Sequence, residues 1–285
     1  MGLLLLMAAT SFSAFAQEKR SDEEIDMLLD DLFFSEEQLI DDILMSLNQD
    51  PFIYTSITFN SNSYFSGRDS GIDQFNLYPQ VSYYHPSGFS FSLTGLFYEK
   101  FDPSWDFTSV SAGYYHTIDK KENLYFNLGY AHYFYSDGSD IFTNSADLSI
   151  GLRSGNRKLG TSITASYLFG TDEALQLVSS TYGRITLVKG KSASLKFNPR
   201  LNFTIAKQTI ALEDLNSQTE VQFINYNVFG LLNTQLNLPL SLVSKSWNLD
   251  IGYNINFPTP VATETNLKNT SYFNISLGYL IDLKK

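Results

Sequence analysis

Hydrophobic and polar residues alternate with a period of two along the last two segments of the chain. Between positions 247 and 257 the odd residues are Trp, Leu, Ile, Tyr, Ile and Phe, and the even residues are Asn, Asp, Gly, Asn and Asn. Residues 273–283 repeat the pattern with an apolar set opposite Asn, Ser and Gly. A period of two places one set on each face of a β-strand. The alternation by itself fits either a soluble sandwich or a membrane barrel.

Strand length and composition favour the barrel. The alternating segments run for about 10 residues, the usual length of a membrane-spanning strand. Aromatic residues make up 15% of the chain, and it contains no Cys. We predict strands at 53–64, 75–84, 89–99, 106–117, 124–135, 143–153, 159–169, 175–188, 193–206, 221–243, 246–257 and 271–283. Short connections alternate with longer ones, which predicts an all-β, transmembrane, antiparallel up-and-down β-barrel of about 12 strands with its short turns in the periplasm.

The first 16 residues indicate export. They carry no charge, include an apolar run from Leu3 to Ala9, and end in Ala14-Phe15-Ala16. An A-x-A sequence after a short apolar stretch is typical of a signal peptide and its cleavage site. No later stretch approaches the roughly 18 apolar residues of a spanning helix, so an exported chain of this kind crosses a membrane only as a closed barrel. The predicted regions are 1–16, signal peptide; 17–50, periplasmic extension; and 51–285, barrel.

The acidity of the chain belongs almost entirely to residues 17–50. The whole chain has a formal charge of −11, and this segment holds twelve acids against two bases, a charge of −10. Two capping-box sequences, Ser21-Asp22-Glu23-Glu24 and Ser35-Glu36-Glu37-Gln38, each precede apolar residues at helical spacing. The pattern predicts a short α-helical extension with a partner-docking face formed by Ile25, Leu28, Leu32, Leu39, Ile43 and Leu44. An acidic amphipathic helix suits a protein partner better than anionic lipid, although a solvated leader remains the alternative.

The closing segment carries a resemblance to a known family. Phe273-Asn274-Ile275-Ser276-Leu277-Gly278-Tyr279-Leu280-Ile281-Asp282-Leu283 is similar to the strand by which outer-membrane β-barrel proteins of Gram-negative bacteria are recognised for assembly. Residues 51–285 as a whole resemble this family in their strands and loop rhythm. The resemblance implies a place in the cell outer membrane, surrounded by its lipid. The chain departs from the family by ending in Leu283-Lys284-Lys285 rather than in an aromatic residue.

Strand phase assigns several charged residues to the inner face of the barrel. The predicted lumen residues are Asp147, Arg153, Arg184, Lys196, Arg200 and Asp250, among several Asn. Buried charges of both signs are normally paired, so the simplest interpretation is a salt-bridged interior that only closes the barrel. The functional interpretation is an anion preference near Arg184, Lys196 and Arg200, beside the basic turn at Lys189 and Lys191.

Enzymatic, metal and nucleic-acid chemistry find little support. The chain has three His, no close His pair and no Cys, which disfavours a metal site, and we expect no cofactor. Phosphate-binding loops and basic nucleic-acid stripes are absent from the sequence. Barrel phospholipases of the resembling family use an outward Ser–His pair with a supporting Asn. Since His85, His116 and His132 do not lie in such an arrangement, we expect a non-enzymatic protein with aromatic-girdle histidines.

Two functions remain open, and we favour the first because two capped, strongly apolar helical faces need a buried surface, of which a narrow lumen offers little. In the first, the barrel is a non-enzymatic scaffold or subunit of an outer-membrane assembly, and residues 17–50 hold a periplasmic or outer-membrane protein partner. In the second, it is a narrow, porin-like channel for small solutes, and the same residues plug its periplasmic mouth. The loop lengths indicate neither a large extracellular domain nor a long constriction loop.

Substitutions on the predicted docking face test the scaffold function. Changing Leu28 and Ile43 together to Ser should release a partner that co-purifies from native membranes, because the apolar face that would bury against it is interrupted. Folding of the barrel should be unaffected. If partner recovery is unchanged by these substitutions and by deletion of residues 21–48, the segment is not a docking surface.

Overall fold

The computed structural model describes residues 51–69, 71–213, 223–244, 246–261, 264–265 and 267–283. The predicted signal peptide and helical extension lie outside these residues. The described chain forms fourteen β-segments: β1 Phe52–Asn60, β2 Asn76–Tyr84, β3 Phe89–Tyr98, β4 Trp105–Thr117, β5 Leu124–Tyr135, β6 Asn144–Arg153, β7 Leu159–Phe169, β8 Glu173–Gly183, β9 Ile185–Lys189, β10 Ala193–Phe197, β11 Arg200–Glu213, β12 Phe223–Ser244, β13 Trp247–Pro258 and β14 Thr270–Asp282. Within these residues, no helix is long and apolar enough to span a membrane.

The fourteen segments make a closed ring of twelve antiparallel strands. β8 and β9 are two parts of one strand interrupted at Arg184, and β10 and β11 are two parts of the next, interrupted at Asn198-Pro199. Each strand pairs with its neighbours in sequence, and β1 pairs with β14, starting with Phe52 opposite Asp282. The predicted fold, a twelve-stranded up-and-down β-barrel, is confirmed.

The strand boundaries differ from the predicted ones at a few places. Strands predicted at 124–135 and 159–169 have those same limits, whereas the first strand ends at Asn60 instead of 64 because the chain there turns into the barrel. The interruption at Pro199 has a local cause, since proline has no N–H to give to a neighbouring strand. β11 continues to Glu213, beyond the predicted limit of 206, and past Lys207 it pairs only with β12.

The outer wall of the barrel is apolar. Large hydrophobic side chains with more than 40% of their surface exposed occur around the whole ring, among them Val81, Leu93, Val110, Leu148, Ile163 and Ile251. The residues between them along each strand face inward and are mostly Ser, Thr, Asn or Tyr. An exposed belt of this extent is stable in contact with lipid and unfavourable in water.

Aromatic side chains border the apolar belt at both ends. At the end with the long loops, Phe59 lies between Phe75 and Phe273, with ring centroids 5.6 and 6.0 Å away. At the end with the short turns, Trp247 packs against Tyr279 at 4.4 Å. Such girdles mark the two membrane–water interfaces of a transmembrane barrel. Which end faces the periplasm stays a prediction: from the loop lengths we expect the short-turn end to be periplasmic.

An arginine scan of neighbouring positions in β14 tests the assignment of faces. Ile275 is 39% exposed on the outer wall, whereas Asn274 is half-buried and accepts a hydrogen bond from Asn254 on the inner face. Arg at position 275 should reduce the free energy of unfolding by roughly 2–4 kcal/mol, and Arg at 274 by much less. Urea titrations of the barrel in lipid vesicles measure both values. Equal losses at the two positions would contradict the assignment.

Cysteine labelling tests the orientation, and the chain offers a clean background because it contains no native Cys. Asp137 lies in the connection between β5 and β6 at the long-loop end, and Lys189 ends β9 at the short-turn end. A membrane-impermeant maleimide added to intact cells should label Asp137→Cys and spare Lys189→Cys until the outer membrane is opened. Labelling of both from outside would reject the orientation.

Candidate functional site

The lumen of the barrel contains three layers along the barrel axis. Buried apolar residues fill the long-loop end, amides and hydroxyls line the middle, and tyrosines with arginines line the short-turn end. Any solute crossing the barrel meets these layers in turn. The lumen is therefore the candidate functional site.

The layer at the long-loop end is a packed apolar cluster. Its buried members are Phe65, Leu96, Tyr98, Phe107, Ala131, Tyr133, Tyr135, Phe142, Leu168, Ala174, Ala206 and Leu232. Strands supply most of them, and the connections after β1 and β5 supply Phe65 and Phe142. A layer of this composition opposes the passage of water and polar solutes, because it offers them few hydrogen bonds.

The connection between β1 and β2 folds into the barrel. Phe65, Ser66 and Arg68 are 5%, 1% and 7% exposed, although they belong to a loop. We expected a first strand reaching residue 64, then an external loop, and no long constriction loop. The last expectation is wrong: residues 61–69 and 71–75, which we call the inward loop, lie at the long-loop end of the lumen, with Phe65, Ser66 and Arg68 buried there. Phe65 in a stretch otherwise rich in Ser, Asn and Gly is the one local signal of this burial.

Arg68 holds the inward loop in place. Its Nε donates to Oε1 of Glu264 at 2.6 Å and its Nη2 to Oε2 at 2.9 Å, and both side chains are 8% exposed. Nη2 also donates to the carbonyl oxygen of Thr259 at 2.7 Å, and Nη1 to that of Leu232 at 3.3 Å. A bidentate pair with further carbonyl acceptors satisfies a buried guanidinium well. The inward loop is thus anchored to the neighbouring connection between β13 and β14 and to β12.

Gly67 fits the inward loop closely against the wall. Its φ of +79° is in the left-handed region, and a Cβ there would lie 2.7 Å from Oδ1 of Asn233 and from Cβ of Asn256. The Thr270 hydroxyl donates to the carbonyl oxygen of Gly67 at 2.7 Å. In the same loop, burial raises the pKa of Tyr64, and the nearby Asp69 and Asp73 carboxylates raise this pKa further. Only glycine satisfies both the backbone angle and the space at position 67.

A ladder of amides crosses one wall in the middle of the lumen. Asn202 donates to Asn237 at 2.9 Å, Asn237 donates to Asn254, and Asn254 donates to Asn274 at 2.8 Å. A second row joins further amides and a hydroxyl: Asn233, Gln235, Asn256 and Thr270. Each amide carries both donors and an acceptor, so neighbouring strands can satisfy one another without any charge. This amide ladder spans β11 to β14.

The predicted lumen charges fall into separate places. Asp147 accepts a hydrogen bond from the hydroxyl of Ser145 at 3.2 Å. Asp250 accepts one from Asn248 at 2.7 Å and lies near Lys196, whose register partner Ser241 is also the partner of Asp250. The tightest ion pairs of the described residues involve other arginines, Arg68 with Glu264 and Arg157 with Glu122.

The three predicted lumen arginines lie at the short-turn end, spread over neighbouring strands. Arg153 is opposite Gly160, Gly160 opposite Tyr182, and Tyr182 opposite Arg200, in one row across β6, β7, β8 and β11. The guanidinium of Arg184 lies over the ring of Tyr182, 5.1 Å from its centroid. The ring itself covers Gly160, where an added Cβ would be 2.4 Å from its Cζ. We call Arg153, Arg184 and Arg200 the arginine row.

Arg153 is the most buried member of the arginine row. It is 3% exposed, its Nε donates to the carbonyl oxygen of Glu122 at 2.6 Å, and its Cζ lies 5.1 Å from the centroid of the Tyr125 ring. Its Nη1 and Nη2 have no hydrogen-bond partner among the described residues. Since cation–π contact with Tyr125 stabilises the charge but accepts no N–H in the guanidinium plane, these donors remain available.

His132 on the outer wall contacts an Asn, as the His of a Ser–His pair with a supporting Asn would. Nδ1 of His132 lies 3.0 Å from Oδ1 of Asn144 on the adjacent strand. Two positions further along β5, on the same face, is Phe134, whose ring centroid lies 4.6 Å from that of His132. A phenyl ring there supplies no nucleophile. His85 contacts Ser87 at 2.6 Å inside an exposed turn, where Nδ1 also accepts the Ser87 N–H.

Several residues that form the lumen were not among the predicted site residues. Arg68 and Glu264 belong to connections, and their partnership spans 196 positions, which no local pattern reveals. Tyr125 and Tyr182 have the inward phase of their strands, so phase could have identified them. The predicted docking residues Ile25, Leu28, Leu32, Leu39, Ile43 and Leu44 lie outside the described residues, and the face stays a prediction.

Comparison with known proteins finds similar folds only. No protein family and no curated protein matches the sequence. Solved structures similar to this chain include the KdgM porin (10% identity, TM-score 0.47, covering 80% of this chain and 98% of that one). The NanC porin has 12% identity and a TM-score of 0.46 over 81% of this chain and 100% of that one. LpxR from Salmonella typhimurium has 10% identity and a TM-score of 0.46 over 80% and 99%. Values of this size carry no argument about activity.

The architecture itself determines the class of protein. A sheet can expose so much apolar surface to lipid only when its strands pair all the way round, since unpaired backbone groups are unfavourable in hydrocarbon. Bacteria place antiparallel barrels with an even strand number and two aromatic girdles in the outer membrane. The chain therefore has the architecture of an outer-membrane β-barrel protein.

Proposed function

We propose that this barrel is a narrow, normally closed channel for small uncharged hydrophilic solutes. The observation that carries the proposal is the amide ladder across β11 to β14, which lines a membrane-spanning lumen with neutral donors and acceptors. Groups of this kind exchange hydrogen bonds with hydroxyl-bearing solutes without retaining them as fixed charges would. Twelve strands enclose a lumen between the filled interior of eight and the open channel of sixteen.

The closed state of the channel follows from the long-loop end. The apolar cluster and the inward loop together occupy the lumen there, with Phe65 and Arg68 buried. A solute passes only after the inward loop has moved aside. The Arg68–Glu264 pair is the main polar contact that opposes this movement, so it acts as the latch of the channel.

The proposal has no enzymatic component. His132 contacts Asn144 and packs against Phe134, whose phenyl ring cannot act as a nucleophile. Among the described residues no group of three or more His, Asp or Glu is arranged to bind a metal. The scaffold function depends on residues 17–50 and remains a separate prediction, which the Leu28 and Ile43 substitutions address.

Loss of the latch should open the channel. Arg68→Ala removes the bidentate partner of Glu264, and breaking a buried ion pair in this way typically costs about 3–5 kcal/mol. We expect a higher open probability in planar bilayers than for the wild-type barrel. Liposome swelling should show faster entry of small neutral sugars and little change for large ones.

A matched control comes from the other arginine ion pair. Arg157 binds Glu122 in partly exposed turns at the short-turn end, outside the lumen constriction. Arg157→Ala should leave conductance unchanged. Electrophoretic heat-modifiability verifies that each variant forms a barrel. Wild-type and Arg68→Ala barrels that are both folded and equally impermeable would refute the channel.

A further inference from the structure

We propose that a groove in the outer wall, at the short-turn end, binds one anionic phospholipid of the surrounding membrane. An acyl chain would lie along the wall, and the phosphate would lie beside Lys158 and Arg184. The proposal concerns the lipid-facing side of the barrel and does not rest on the proposed channel function. Three observations carry it: a hollow in the wall, a strand edge without a neighbour, and cations without acids around both.

The hollow lies where two strands are interrupted. Gly183 ends β8 opposite Leu159, and its N–H donates to the carbonyl oxygen of Pro199 at 2.9 Å. A Cβ on Gly183 would lie 3.8 Å from Cδ2 of Leu159 and 3.8 Å from Cγ of Pro199. It would therefore point outward, to the same side as Leu159, which is 63% exposed. Because glycine has no side chain, the outer surface is lower here than at the neighbouring positions.

Apolar side chains continue the hollow toward the middle of the membrane. Two residues further along the strands, Thr181 is opposite Leu201, and Leu201 is opposite Leu236. These residues and Gly183 border a groove with a volume of about 670 Å³, which we call the wall groove. Its volume is within the roughly 300–1,000 Å³ of small-molecule sites. Lipid tails cover the whole outer wall, so the groove fixes the position of one tail and the headgroup decides which lipid is bound.

β9 borders the wall groove on the side of the short turns. The N–H of Arg184 donates to the carbonyl oxygen of Lys158 at 2.7 Å, and β7 begins only at Leu159. Beyond this bond β9 pairs with β10 alone and stands last in the strand order of the described chain. Its Ile185 is 50% exposed. A strand edge at a membrane needs acceptors for its N–H groups, which phosphate oxygens supply and hydrocarbon does not.

Cations without acids surround the wall groove. The sequence contains no Asp or Glu at positions 153–171 or 174–212. Lys158 and Arg184 border the groove at adjacent positions, and Arg200 borders it from β11. Of the described residues that line it, none is acidic. Basic groups at a membrane surface attract anionic headgroups, so this lining favours a negatively charged lipid over a zwitterionic one.

The height of the wall groove matches the layout of a phospholipid. Trp247 and Tyr279 mark the membrane–water interface at the short-turn end. Like Trp247, Leu159 is the first strand residue after a short turn, so the groove begins at this interface and extends toward the middle of the membrane. Lys158, in the exposed turn, is then at headgroup level. Phosphate lies at the interface and acyl chains lie below it, in the same order as the cations and apolar residues here.

A membrane lipid suits the wall groove better than a free phosphate. An isolated phosphate would contact the cations but leave the hollow at Gly183 and the side chains of Leu201 and Leu236 without a partner of their own chemistry. A lipid tail in that hollow also keeps its phosphate beside Lys158 at a high local concentration, which a dilute anion lacks.

Native mass spectrometry of the full-length barrel tests the site. The protein is placed in nanodiscs that contain equal amounts of phosphatidylglycerol and phosphatidylethanolamine with identical acyl chains, and is then released in the gas phase. We expect one retained phosphatidylglycerol per barrel, with a preference over phosphatidylethanolamine of about fivefold for each cation in contact. Since the two lipids share their tails, the preference measures the headgroup contact alone.

Two charge variants locate the headgroup. Lys158→Gln removes a cation that borders the wall groove and should lower the preference severalfold. Arg157→Gln is the matched control, because this neighbouring cation of the same turn pairs with Glu122 and does not line the groove. The control should keep the preference of the wild-type barrel.

Two size variants locate the tail. Gly183→Leu fills the hollow, where an added Cβ meets only ordinary van der Waals contacts, and should lower the retention of both lipids. Ala112→Leu adds similar bulk at an exposed position of β4, away from the wall groove, and should leave retention unchanged.

Several results would overturn the site. Equal retention of the two lipids by the wild-type barrel would reject it, as would a preference that Lys158→Gln and Arg157→Gln change alike. Displacement of the retained lipid by inorganic phosphate would assign the groove to a free anion instead. Electrophoretic heat-modifiability verifies that each variant forms a barrel. If Gly183→Leu does not, the wild-type preference and the comparison of Lys158→Gln with Arg157→Gln still decide.

Discussion

Hydrogen bonding of the backbone around a closed ring is the constraint on which the rest of this molecule depends. In hydrocarbon an unpaired N–H or C=O group costs several kcal/mol, so the first and last strands must pair. β1 and β14 do so across the whole length of β1, and side chains reinforce the closure, as where the Thr58 hydroxyl donates to that of Ser276 at 2.8 Å. Closure gives every strand one lipid face and one lumen face. The alternation of the sequence is the consequence.

The two faces solve different problems. The outer face needs only to be apolar, because lipid covers it without any specific contact. The inner face must satisfy its own polar groups in a confined space, and it does so with neutral amides that bond across strands, such as Asn202 to Asn237 and Asn254 to Asn274. The lumen can therefore remain polar without depending on buried charge. Arginines lie at the two ends of the lumen, Arg68 at one end and the arginine row at the other.

The sequence predicted the fold well because strand phase is a local property. A period of two locates strands and faces, and two predicted strands have the observed limits at 124–135 and 159–169. Phase also placed Arg153, Arg184 and Arg200 on inward positions. Their place in one row with Tyr182 could not be predicted, since it depends on the register between four strands. The inward loop escaped prediction for the same reason: Arg68 finds Glu264 across 196 residues, and only the closed ring brings them together.

Two buried arginines differ in how completely the surrounding residues satisfy their hydrogen-bond donors. Arg68 and Arg153 are 7% and 3% exposed, so both have lost nearly all their water. The first has a bidentate carboxylate and three carbonyl oxygens within 3.3 Å, and the second has one carbonyl oxygen and an aromatic face. For Arg68 the described residues replace the lost hydration, and its role is to fix the inward loop. For Arg153 they replace only part of it, since Nη1 and Nη2 have no hydrogen-bond partner among the described residues and the Tyr125 ring stabilises the charge from its face.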